Sequence, residues 1–112
     1  MAKSTSPAAA LIGDFAPKIV ELTEGVLFSD IWERPGLSKR DRSLITVAAL
    51  VTQYRPEQLT GHMKRAVENG VTVEELVETM THLAFYAGWP GAMSGILAAK
   101  ALFDPAGHVP SE

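Results

Sequence analysis

Three histidines, His62, His82 and His108, supply the imidazoles of this chain, and imidazole is the side chain that ordinarily titrates near neutral pH. His82 lies in the run "ETMTHLAFYAGWPGAM", residues 78–93, four residues before Tyr86 and just ahead of the break at Gly88, Trp89 and Pro90. An imidazole and a phenol one helical turn apart can give or take a proton, or hydrogen-bond a developing oxyanion. The same spacing has a plainer reading. At 100° per residue, with Glu78 at zero, His82 falls at about 40°, Glu75 at about 60° and Tyr86 at about 80°. Leu76, Met80, Leu83, Ala84 and Ala87 occupy about 140–240°. His82 thus faces away from the apolar stripe, and periodicity alone favours a wet helix face with a Glu78–His82 contact over catalysis. Phe85, at about 340° on that wheel, and Trp89 flank the polar row. Two large aromatics there point to a lined pocket or a subunit contact.

His62 sits about 60° from Leu59, at the edge of its own apolar stripe; its plain reading is a half-covered boundary residue. His108 belongs to the tail. No two histidines stand at metal-ligand spacing, so no metal is assigned. The chain has no Cys, which removes thiolate nucleophiles, disulfides and Cys-x-x-Cys redox chemistry together. The charge run "SKRDR" reads as a solvated helix start in which Arg40 or Arg42 could hold a carboxylate. Neither a Gly-rich phosphate loop nor a Ser-His-Asp pattern stands out.

The elements that position these residues read as helices throughout. Residues 1–13 form an Ala- and Ser-rich leader, residues 14–104 the helical domain and residues 105–112 a turn-like tail. The first helix is expected over 14–27, with Phe15, Ile19, Leu22, Val26 and Leu27 at helical spacing. Trp32 and Arg34 precede a turn at Pro35 and Gly36. Ser38 caps the second helix, with Asp41 three residues on. Apolar residues between Leu44 and Val51 appear on every face, which a small domain can hardly enclose, so a neighbouring subunit is expected. Pro56 opens the third helix, which ends at Asn69 and Gly70 with a stripe of Leu59, Met63, Ala66 and Val67. Thr72 and Glu75 form a capping box, and Val71 can staple onto Leu76. The fourth helix reaches Tyr86 or Ala87. Pro90 opens the last, whose Gly91, Ala92, Ser94, Gly95, Ala98, Ala99 and Ala101 permit close helix packing. No alternating β-branched run suggests a strand.

The 112 residues suit one domain. A net charge of −3 with no basic block leaves no electrostatic footprint for nucleic acid. Gly88, Pro90, Gly91 and Gly95 interrupt the longest uncharged stretch, so no membrane span is expected. No signal peptide is evident, which makes the cytoplasm the default location.

Taken together, "WERPGLSKRDRSLITVAALV" and "HMKRAVENGVTVEELVETMTHLAFYAGWPGAM", in that order, resemble the carboxymuconolactone decarboxylase family over roughly residues 15–103. The specific landmarks are His62, the helix break from Asn69 to Thr72, then His82, Tyr86, Gly88 and Pro90. The resemblance implies an all-α, alkylhydroperoxidase-like fold assembled as a homo-oligomer, a trimer or hexamer. The thiol-active branch of that superfamily carries Cys-x-x-Cys ahead of the first histidine; here "RPEQ", residues 55–58, stands in its place, which argues against peroxide reduction. The decarboxylase branch converts 4-carboxymuconolactone to an oxoadipate enol-lactone and CO2 in aromatic breakdown, without a cofactor. That chemistry needs a donor for the lactone oxygen, a proton for the carbon and a cation for a carboxylate. His62 and His82 are the candidates for the proton work and Tyr86 for the oxygen donor. Arg42 or Arg34 would hold the carboxylated small-molecule substrate, with Trp32 and Trp89 beside it. The alternative is a non-enzymatic, oligomeric small-ligand binder on the same fold.

Overall fold

Proline punctuates this chain and sets most of its helix starts. The computed structural model describes residues 7–104, with side chains from residue 9 onward. Six α-helices follow one another: α1 (Pro7–Ile12), α2 (Pro17–Leu22), α3 (Lys39–Thr52), α4 (Pro56–Glu68), α5 (Val73–Tyr86) and α6 (Trp89–Phe103). The fold is all-α, and no strand occurs among the described residues. Part of the stretch read as leader is helical, as α1; residues 1–6 and the tail from 105, with His108, lie outside the described residues.

The chain separates into two compact units at Lys39–Arg40. In the first, α2 starts later than the sequence suggests. Pro17 holds the preceding Ala16 at φ −134°, ψ 66°, outside the helical region, as the residue before a proline prefers. Phe15 therefore lies outside the helix and is exposed. After Leu22 the chain widens into a π-helical segment, Thr23–Phe28, whose longer turn shifts the side-chain register. The expected stripe does not form: Ile19, Leu22, Val26 and Leu27 are all exposed, and Val20 is the residue buried on α2. A short 3₁₀ turn, Ile31–Glu33, then carries Trp32, which is buried with its ring 6.2 Å from that of Phe28.

The second unit holds the core. Val47 and Val51 of α3 meet Leu59, Met63 and Ala66 of α4, Val71, Leu76 and Met80 of α5 and its approach, and Ala92 and Ala99 of α6 in one buried cluster. α3 opens directly after Ser38, as expected. Ser43 of α3 is the buried polar member, and its Oγ accepts a hydrogen bond from Asn69 Nδ2 at 2.9 Å. The sequence suggested that α3 is enclosed on every side. In this chain Ile45 is 56% exposed.

The α4–α5 corner is specified locally. Gly70, at φ 105°, takes the left-handed position that closes a helix. Val71 N–H bonds back to Ala66 C=O at 2.9 Å and Gly70 N–H to Val67 C=O at 3.1 Å. Thr72 then caps α5: its Oγ1 accepts from Glu75 N–H at 3.0 Å while Glu75 Oε1 accepts from Thr72 N–H at 2.9 Å. Val71 and Leu76, the expected staple pair, are both buried. Glu75 also takes the Arg40 guanidinium, tying the start of α3 to the start of α5. The Thr72 N–H first, then Arg40, holds the Glu75 carboxyl below its ordinary value. Thr72→Ala should cost about 1 kcal/mol, read as a lower urea midpoint at unchanged slope.

α6 packs against both α5 and α4, and its small residues permit this. A Cβ placed on Gly95 would come within 3.0 Å of Met80 Sδ, closer than carbon and sulfur tolerate. Ala92, Gly95 and Ala99 are the buried face of α6.

Candidate active site

α5 delivers His82 and Tyr86 to one face, as the helical wheel requires. Their rings stack, with centroids 4.7 Å apart and planes inclined by 24°. Tyr86 is 79% exposed, and His82 is exposed beside it. Next to this pair runs a second aromatic couple. Phe85, 75% exposed, meets Trp89, 58% exposed, edge to face at 5.5 Å across the α5–α6 turn. A narrow apolar cleft of about 90 Å³ opens alongside, lined by Ala84, Phe85, Trp89, Met93 and Ile96 among others. The face that carries the candidate proton donor is therefore rich in uncovered aromatic surface.

His62 is half-buried on α4. Burial, and then the nearby Arg65 charge, push its imidazole below the ordinary value of 6.5, so it is neutral at neutral pH. No hydrogen bond or ring contact joins His62 to His82 or Tyr86 among the described residues. The structure thus pairs two of the three expected catalytic residues on α5 and carries the third on α4.

Among the expected substrate-holding residues, Arg42 is half-buried on the first turn of α3, and Arg34 is exposed at the end of the 3₁₀ turn of the first unit. Trp32 is buried beside Phe28, and Trp89 stands exposed against Phe85. Arg40 is taken up by Glu75 and, at 3.4 Å, by Asp41. No group of three His, Asp or Glu residues among the described residues gathers as metal ligands would. None of the described helices is long and apolar enough to cross a membrane.

Sequence reasoning passed over Tyr54. It is a non-glycine residue at φ 56°, closing α3 where glycine is usual. The signal was present: α3 must stop before Pro56, and "TQYRP" contains no glycine to take the left-handed position.

The family model for carboxymuconolactone decarboxylases matches residues 17–101. The chain belongs to the carboxymuconolactone decarboxylase family. Among relatives, a 4-carboxymuconolactone decarboxylase of Acinetobacter baylyi is 32% identical over 101 residues, covering 90% of this chain and 75% of the relative. A nitrosuccinic acid decarboxylase of Metarhizium robertsii is 32% identical over 80 residues, covering 71% of this chain and 56% of the relative's length. The family match reaches from α2 to the last turns of α6 and takes in His62, His82 and Tyr86.

Proposed function

We propose that this chain is a cofactor-free carboxy-lyase acting on 4-carboxymuconolactone or a related carboxylated, unsaturated lactone. The observation that carries this reading is the family match, together with a relative named for that decarboxylation that aligns over 90% of the chain. The second relative is named for a nitro acid. Unsaturated lactone and nitro group share one property: each draws in the electron pair left behind when a neighbouring carboxylate departs as CO2.

The step balances without a metal or a redox partner. The bond from the lactone γ-carbon to the carboxylate breaks, and its electron pair passes through the ring double bond onto the lactone oxygen. A proton then arrives at the carbon next to the lactone carbonyl. A hydrogen-bond donor at the oxygen lowers the barrier most, because charge develops there. Tyr86 is assigned that donation, and His82, stacked on it, the proton delivery. His62 stays neutral, so it can relay a proton or donate a hydrogen bond without adding charge. Arg42 or Arg34 would pair with a substrate carboxylate other than the one that leaves.

We further infer that the working form is a homo-oligomer, a trimer or hexamer, in which a neighbouring copy covers the exposed aromatics. The uncovered Ile45, Phe85 and Trp89 support this, since small proteins rarely leave such surface in water.

A panel of 4-carboxymuconolactone, simpler carboxylated butenolides and nitrosuccinate, each followed for CO2 release, tests the assignment. Turnover on an unsaturated lactone is expected. Release from nitrosuccinate alone, or from no member of the panel, would overturn it.

A further inference from the structure

A second hollow lies at the corner where α3 gives way to α4 and α6 begins. Val51, Thr52, Tyr54, Gly88, Gly91 and Ser94 are among the residues lining a groove of about 400 Å³, a volume that suits a small organic molecule. A smaller hollow adjoins it and shares Val51, Tyr54, Gly91 and Ser94, adding Arg55. Three kinds of polar group thus meet on an otherwise apolar surface: a phenol, an aliphatic hydroxyl and a guanidinium.

Three observations set this corner apart from ordinary surface. First, Tyr54 occupies the left-handed region at φ 56°, which is costly for a residue with a Cβ and which glycine would adopt freely. Its N–H bonds to Val51 C=O at 3.1 Å, and Arg55 N–H to Leu50 C=O at 3.0 Å, so the backbone needs only a left-handed residue there. The ring adds nothing to that closure, and it is 61% exposed over the groove. Second, Arg55 precedes α4 but its side chain makes no capping bond. No carboxylate of the described residues pairs with it, whereas Arg40 is paired with Glu75. Third, a Cβ on Gly91 would lie 3.2 Å from Val51 C=O, so the close approach of α6 to α3 that shapes the hollow depends on that glycine.

We propose that Tyr54, Arg55 and Ser94 form a subsite for a small lactone ring bearing a carboxylate. Arg55 holds the carboxylate, and the Tyr54 and Ser94 hydroxyls take the polar oxygen of the ring. This deepens the decarboxylase reading and rests on it for the identity of the ligand: Arg55 supplies the substrate cation in place of Arg42 or Arg34. It also stands at the N-cap of the helix that carries His62, seven residues before it, so about 10 Å of axial rise separates the two positions.

The probe is 5-oxotetrahydrofuran-2-carboxylate, a saturated carboxylated lactone that lacks the conjugation needed to lose CO2. Titrated into the full chain and followed by ¹H–¹⁵N NMR, it should shift the resonances of Tyr54, Arg55, Gly91 and Ser94. Arg55→Gln should weaken it by about two- to fivefold, the range for one exposed charge-assisted contact, with Arg55→Lys in between. γ-Butyrolactone, which has no carboxylate, should bind both forms alike. Tyr54→Gly should hold or raise the melting temperature yet weaken the probe, because glycine fits the left-handed position. Shifts that map elsewhere, equal binding by Arg55→Gln, or a lower melting temperature for Tyr54→Gly would overturn the subsite. The two readings fail separately. Probe binding at this corner without CO2 release from any lactone sinks the decarboxylase alone; CO2 release with KM unchanged in Arg55→Gln sinks the subsite alone.

Discussion

His82→Ala should lower turnover on a carboxylated lactone by about 10²–10⁴-fold, the usual contribution of one placed general acid. Its melting temperature should hardly change, because the imidazole is exposed and, among the described residues, its ring contact is to Tyr86. That separation of activity from stability distinguishes proton delivery from scaffolding. An exposed site should also admit a substitute, so added imidazole should restore part of the lost rate. Equal turnover in the variant would remove His82 from the chemistry. His62 gives a different signature. Its imidazolium is disfavoured in the folded chain, by burial first and Arg65 second, so the unfolded chain binds the extra proton more readily. Between its lowered folded value and the ordinary histidine value, stability therefore rises with pH and is lost on acidification. His62→Gln should flatten that slope in urea titrations run across the histidine range, and a slope unchanged by the substitution would contradict the assignment.

Leu76→Ala should cost about 2–5 kcal/mol. Leu76 has no exposed surface and sits in the cluster that joins all four helices of the second unit. It is also the partner of Val71 in the staple that aims α5, so a cavity there loosens the helix that carries His82 and Tyr86. Domains of this size are stable by about 5–15 kcal/mol, which makes the loss a large share of the whole. A melting point lower by about 10 °C or more is expected, with activity falling in step as the folded fraction falls. A change below about 1 kcal/mol would mean that the cluster collapses around the gap, against the close packing of Leu76, Met80 and Gly95.

Much of this fold was legible because its punctuation is local. Pro56, the Asn69–Gly70 break, the Thr72–Glu75 box and Pro90 each act within one turn of chain, and each lies where the sequence placed it. The apolar stripes of α4 and α5 were also readable, since Leu59, Met63, Leu76 and Met80 are buried as periodicity requires. The first unit was harder. A helical wheel assumes one constant turn, and the π-helical Thr23–Phe28 segment breaks that assumption without a residue that announces it.

The candidate site was legible only in part, for a physical reason. Four-residue spacing alone puts His82 and Tyr86 on one face of α5, so the sequence contained their nearness, whereas the stacking of the two rings depends on their rotamers. Where His62 stands relative to that pair depends on how α4 and α5 pack around α6, a long-range relation that no local pattern encodes. Tyr54 escaped notice because its strain arises from where α3 must stop, not from its own type.

Decarboxylation by proton delivery to carbon is tested most directly in D₂O, with purified, chelator-treated protein and 4-carboxymuconolactone. One CO2 should appear per lactone consumed, with one deuterium on the ring carbon next to the lactone carbonyl. CO2 release no faster than in a protein-free control, or product without that deuterium, would contradict it.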